Sequence, residues 1–139
     1  VLAAQEARIG DAHANFGLVP GGGGSVRLPE RVGLVRAKRL LLTGELLPAQ
    51  VLAEWGLVNE VVPGAGLEAA VTRLAETLAT RSPLAAARAK RLADAPTRAA
   101  RRAALDAEIE EAVAHGASAD VAEGLAAFVE KRTPRFPGR

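Results

Sequence analysis

Only one segment of this chain reads clearly as a β-strand. "LVNEVVP", residues 57–63, is short, β-branched and closed by Pro63. "VLAA" at 1–4 fits the end of a buried strand and "ARIG" at 7–10 a short edge segment, while everything from Leu67 onward reads as helix. A parallel sheet needs several strands covered on both faces, so this ratio does not make a self-sufficient α/β domain. The missing strands are expected upstream of Val1. The 139 residues include no methionine, and the chain is accordingly read as a fragment.

The helices carry their own punctuation. Ser25 is placed as the N-cap of a short first helix that Pro29 interrupts. "LVRAKRLLLTG" follows, with Leu34, Val35, Leu41 and Leu42 apolar and Gly44 as its stop. "LPAQVLAEWG" sets Pro48 at a first helical position, puts Val51, Leu52 and Trp55 on one side, and ends at Gly56. Leu67, Val71, Leu74 and Leu78 then form one apolar stripe. Ser82 and Pro83 make a cap and first-turn pair for the next helix. A helix from about Thr97 to His115 carries Leu105, Ile109, Ala112 and Val113 on one face and closes at Gly116. Its charges run against its dipole: Arg98, Arg101 and Arg102 lie at the positive end and Glu108, Glu110 and Glu111 towards the negative end, at a cost of about a few tenths of a kcal/mol each. A tertiary or intersubunit partner would offset that cost, as would solvent screening. In the last helix Asp120 and Glu123 have capping-box spacing, and Val121, Leu125, Phe128 and Val129 are the expected buried face. The tail after Lys131 is Pro-broken and basic.

Composition narrows the function classes. Apolar residues are 49%, aromatics 3% and charged residues 24%, which suits a soluble, helix-rich, cytoplasmic protein. Without cysteine there is no disulfide framework and no thiolate metal site. The 18 Lys and Arg are interleaved with 16 Asp and Glu, so a net charge of +2 does not indicate a nucleic-acid partner. No apolar run approaches the length of a membrane span.

The stretch "GDAHANFGLVPGGGGSVRLP", residues 10–29, concentrates the candidate chemistry. Four glycines, Gly21, Gly22, Gly23 and Gly24, open a helix, which suggests a backbone approached closely by a ligand, with N–H groups and the helix dipole aimed at it. A tight strand-to-helix turn without a ligand is the plainer reading. A Walker A loop would place a lysine after Gly24, where Ser25 stands, and a dinucleotide fingerprint would place its third glycine at Val26. Neither phosphate motif is present. His13 precedes the run; a lone loop histidine is either a proton-exchanging group or a hydrogen-bonded structural one. His115, beside Gly116 at a helix end, is read as structural. No G-x-S-x-G motif and no second histidine within ligand spacing of His13 support a serine hydrolase or a metal site.

Taken in order, "FGLVPGGGGSVRLPERVGLVRAKRLLLTGELLPAQVLAEWGLVNEVVP", "SPLAAARAK" and "DVAEGLAAFVEKRTPRFPGR" closely resemble the C-terminal half of the enoyl-CoA hydratase/isomerase family, the crotonase fold. The resemblance covers essentially the whole chain. It implies an α/β fold: the C-terminal part of a crotonase-like ββα superhelix at 1–64, its N-terminal part missing, and a helical trimerisation region at 65–139. It also implies an acyl-CoA thioester as ligand, CoA entering as part of the substrate with no separate cofactor, and assembly as a homo-trimer or dimer of trimers, without nucleic acid or membrane. The family's shared chemistry is a thioester enolate held by two backbone N–H groups; those donors, and the first family glutamate, normally lie in segments before Val1.

The second family glutamate belongs to a motif running from the residues after Ile9-Gly10 to Gly17, and here His13 fills its position. A glutamate there can protonate the α-carbon of an enolate. A histidine also exchanges protons near neutral pH, but it is cationic when protonated and its reach differs. Asp11 and Asn15 are candidates to orient it. The resemblance makes Gly21 to Gly24 the border of the thioester pocket, and makes Phe128 and Lys131 contacts of the CoA moiety; otherwise Phe128 is core and Lys131 solvated. Two readings follow. One is an enzyme transferring a proton next to a thioester, by hydration, isomerisation, hydrolysis or decarboxylation, with His13 as the acid. The other is a catalytically silent crotonase-fold protein for acyl-CoA binding or assembly.

Overall fold

The computed structural model describes residues 1–94 and 98–138. The elements in chain order are β1 (Leu2–Ala4), β2 (Arg8–Gly10), a 3-10 turn (His13–Phe16), α1 (Gly24–Val32), α2 (Leu34–Thr43), β3 (Leu46–Pro48) and α3 (Ala49–Glu54). They continue with β4 (Glu60–Val62), a second 3-10 turn (Gly64–Gly66), α4 (Leu67–Ala79), α5 (Pro83–Asp94), α6 (Arg98–His115) and α7 (Ala119–Glu130). The expected strand at 57–63 is thus shortened to β4, and β3 arises where no strand was expected. β1 and β4 pair in parallel, Ala3 opposite Val61, and β2 pairs with β3.

The chain packs as two compact units, one of residues 1–8 and 48–102 and the other of residues 9–47 and 103–139. This division by packing cuts across the sequence boundary expected after residue 64. In the first unit Ala3, Ala49, Leu52, Val58 and Ala70 are buried around β1 and β4. In the second, the buried apolar residues are Val32, Ala37, Leu40, Val121 and Ala127.

Burial shows which helical faces are covered, and corrects the face expected for the last helix. α2 buries Ala37 and Leu40, while Leu34, Val35 and Leu42 are exposed. The stripe of α4 is laid out as expected, yet Val71, Leu74 and Leu78 are exposed and Ala70 alone is buried. α7 buries Val121, Gly124 and Ala127, the small side of the helix, and leaves Leu125, Phe128 and Val129 outside. The reason is close approach: a Cβ on Gly124 would overlap the Phe16 carbonyl oxygen, so α7 meets the 3-10 turn backbone to backbone. That contact needs a glycine.

The caps also differ in detail. Ser82 caps α5 as expected, its Oγ accepting from the Ala85 N–H at 3.3 Å. α7 is capped by Ser118, whose Oγ accepts from the Val121 N–H, and not by Asp120. Pro48 is the residue before α3 and not its first. Pro29 lies inside α1, which runs on to Val32 and ends at Gly33. Asp120 and Glu123 serve the tail instead: Asp120 accepts from the Gly138 N–H at 2.7 Å, and Glu123 takes both Arg132 Nη atoms, at 2.6 and 2.9 Å, and the Arg135 N–H at 2.7 Å. The Arg132 guanidinium, together with the Arg135 amide, holds the Glu123 carboxyl down at about 2.

Candidate active site

All the residues described below belong to the second unit. His13 opens the 3-10 turn, and its Nδ1 donates to Asp11 Oδ1 at 2.7 Å while its backbone N–H donates to the same oxygen at 3.1 Å. The Asp11 side chain is 8% exposed and that of His13 44%. A buried carboxylate therefore holds one edge of the ring, and the ring itself stays open to solvent. With Nδ1–H committed to Asp11, the lone pair of the neutral imidazole sits on Nε2. Asn15, the other residue considered for orienting His13, turns away: its Nδ2 donates to the Gly44 carbonyl at 2.8 Å and closes the end of α2.

The other Asp11 oxygen faces the glycine turn. A Cβ on Gly24 would stand 2.7 Å from Asp11 Oδ2 and 3.2 Å from Pro20 Cβ, so the close approach of this backbone is to a carboxylate of the protein itself. Gly23 has φ 91°, in the left-handed region that side chains resist, and immediately precedes α1. Its N–H is already used: Gly23 N–H, Ser25 N–H (2.6 Å) and Ser25 Oγ–H all donate to the carboxylate of Glu108 on α6. Ser25 therefore does not cap α1; Glu108 does so from another helix. Gly21 lies against Ala112, its would-be Cβ 3.2 Å from that methyl. Around Gly22 there is open space, and its carbonyl accepts from Arg27 Nη1 at 2.8 Å.

Glu108 is 6% exposed. A buried carboxylate is costly unless it is hydrogen-bonded, and three donors meet that requirement here. The positive end of α1, where two of those donors lie, favours the negative charge as well. The sequence signalled this residue only indirectly, through the adverse charge order of α6.

The far end of the 3-10 turn has partners of its own. His115 Nε2 donates to the Gly17 carbonyl at 2.5 Å, a structural role as expected. Phe16 meets Phe128 edge to face, ring centroids 5.3 Å apart. Phe16, Leu18, Leu125 and Phe128 line an apolar cleft of about 220 Å³. Lys131 ends α7 in a left-handed conformation, φ 55°, and no hydrogen bond or ion pair joins its ammonium to the groups above. Asp11 thus links His13 to Gly24, and Phe16 links the same turn to Phe128. Among the described residues no group of three or more His, Asp or Glu could hold a metal ion, and no helix is long and apolar enough to cross a membrane.

Comparison with known proteins decides the family. The family model for enoyl-CoA hydratase/isomerase matches residues 1–139. The chain belongs to the enoyl-CoA hydratase/isomerase family. Among its family relatives, 2,3-dehydroadipyl-CoA hydratase of Escherichia coli is 37% identical over the whole chain and 54% of its own length. The 1,2-epoxyphenylacetyl-CoA isomerase of the same organism is 34% identical over the whole chain and 53% of its length. The crystal structure of carnitinyl-CoA hydratase from Mycobacterium avium superposes with a TM-score of 0.94 at 34% identity, covering all of this chain and 54% of that one. The family's crotonase-like α/β fold is the fold of this chain. The chain spans about half the length of the curated relatives it matches; a half, but not the C-terminal half as such, is what the matched lengths support.

Proposed function

We propose that this chain is part of an acyl-CoA-processing enzyme of the hydratase/isomerase type, in which His13 exchanges a proton with the carbon next to, or conjugated with, a thioester carbonyl. The observation that carries this reading is the half-exposed imidazole tied through Nδ1 to buried Asp11. Neutral His13 takes a proton at Nε2, and the resulting imidazolium is stabilised by the adjacent carboxylate before returning it. The relatives named above are called for CoA thioesters, which supports that substrate class. They are named for different reactions, so the reading stops at the proton transfer that hydration, isomerisation, hydrolysis and decarboxylation would share.

In this reading the amides of Gly21, Gly22 and Gly24 are the donors of the turn left for the acyl group or a water, Gly23 being committed to Glu108. The exposed Phe128 ring and the Lys131 ammonium are the groups offered to CoA, which arrives with the substrate and not as a cofactor. Residues 1–64 are then the part of the core that carries His13 and the glycine turn, and the helical region 65–139 serves assembly while also lending Phe128 and Lys131 to the CoA moiety. Exposed Leu74 and Leu78 on α4, Leu84 and Leu92 on α5 and Val113 on α6 support trimers or dimers of trimers, which sedimentation of the whole protein tests.

The deciding experiment follows solvent deuterium into the α-carbon during turnover of crotonyl-CoA by the whole protein. His13→Ala is expected to lower turnover by about 100-fold or more. Unchanged turnover and exchange overturn the proposal in favour of a catalytically silent acyl-CoA-binding or assembly protein. His13→Glu is the complementary test, a gain in hydration showing that the histidine had replaced a working acid.

A further inference from the structure

We infer that Glu108 is a positioning residue for the Asp11–His13 pair, acting through the glycine turn. The inference rests on the catalytic reading above and adds to it a group on α6. Glu108 fixes the residue before Gly24, through the Gly23 N–H, and the residue after it, through the Ser25 N–H and hydroxyl. Gly24 is thereby pinned from both sides. Its backbone lies close to Asp11 Oδ2, so close that a Cβ on Gly24 would stand only 2.7 Å from that oxygen. Asp11 in turn orients the His13 ring through Oδ1. Hydrogen bonds from Glu108 to the turn, the close approach of Gly24 to Asp11 and the Asp11–His13 hydrogen bond run in sequence, and every member lies in one compact unit.

The chemistry favours a carboxylate at position 108. Two of its three donors are backbone amides at the positive end of α1, and one oxygen of the carboxylate serves two donors. A glutamine offers one oxygen acceptor and an NH₂ that must face an N–H or O–H donor. The turn must then open, Gly24 moves relative to Asp11, and the His13 ring loses its fixed edge.

The test uses the whole protein, isotopically labelled, with two readouts. Long-range proton–nitrogen correlations of the His13 ring report which nitrogen carries the proton, and steady-state kinetics on crotonyl-CoA separate kcat from KM. Glu108→Gln is expected to raise the minor ring tautomer by about twofold or more and to lower kcat about 10-fold while KM stays within about threefold. Ser25→Ala, which removes one donor and keeps the fold's backbone bonds, is expected to move both readouts the same way by a smaller factor, about twofold. A folded Glu108→Gln protein with the wild-type His13 spectrum and kcat overturns the inference. If that variant does not fold, an unchanged spectrum and kcat in Ser25→Ala overturn it. The ring spectrum also separates the two ideas: an inactive role for His13 is exposed by His13→Ala kinetics, whereas the coupling to Glu108 is read from the ring whether or not it catalyses.

Discussion

Asp11 and His13 stand two residues apart and meet twice, ring nitrogen and backbone amide both donating to a single carboxylate oxygen, at 2.7 and 3.1 Å. The backbone contact makes the side-chain contact possible: it curls the chain into the 3-10 turn so that the ring folds back over the acid that precedes it.

Asp11→Asn keeps this shape and removes its charge. The amide no longer stabilises the imidazolium, and its NH₂ can face Nδ1 and reverse the tautomer. Turnover of crotonyl-CoA is expected to fall by on the order of 100-fold with the thermal midpoint changed little, a split that kinetics and calorimetry on the same sample resolve.

At Gly24 the predicted effect is again on activity more than on stability. Gly24→Ala adds a good helix former at the start of α1, where backbone strain is absent, but its Cβ intrudes on Asp11 Oδ2, 2.7 Å away. That oxygen is the end of a rotatable side chain and will shift. Urea unfolding is expected to change by less than about 1 kcal/mol, while kcat drops about 10-fold.

Gly124→Ala reverses that balance. Its Cβ meets the Phe16 carbonyl, a backbone group with no rotamer to retreat into. Forcing α7 off the 3-10 turn is expected to cost about 1–3 kcal/mol in urea unfolding. A wild-type midpoint would show that the two backbones are not in contact in solution.

The tail supplies a pH signature. Glu123 has its carboxyl pKa lowered to about 2 by Arg132 and the Arg135 amide. A depressed folded-state pKa stabilises the folded form above the unfolded value, ordinarily about 4.3, and that stabilisation is lost as pH falls towards 2. Between those limits the Arg135 amide is expected to lose hydrogen-exchange protection before the helices unfold. In Glu123→Gln the Arg135 amide is expected to exchange fast at neutral pH as well.

Much of this was legible in the sequence, for identifiable reasons. Gly44 as a stop and Ser82 with Pro83 as a start are decided by residues within one turn of the chain, and both stand in the structure. The family follows from motif order, and His13 stands out because it falls where that order places a glutamate. The face of α7 differs from the expected one because periodicity records which residues are apolar, not which side a neighbour can approach. Gly124 admits the backbone of Phe16, which a side chain as large as Phe128 would hold off. Glu108 escaped notice because its partners lie 83 to 85 residues away, beyond any local rule. Only its discord with the dipole of its own helix pointed to it.

The separation of 85 residues between Gly23 and Glu108 has a temporal side. On a ribosome adding roughly 5–20 residues per second, the glycine turn emerges about 4–17 s before the carboxylate that closes it. During that interval the amides of Gly23 and Ser25 lack the acceptor that holds them in the folded chain. The Asp11–His13 pair is therefore made well before the group that braces the glycine turn beside it.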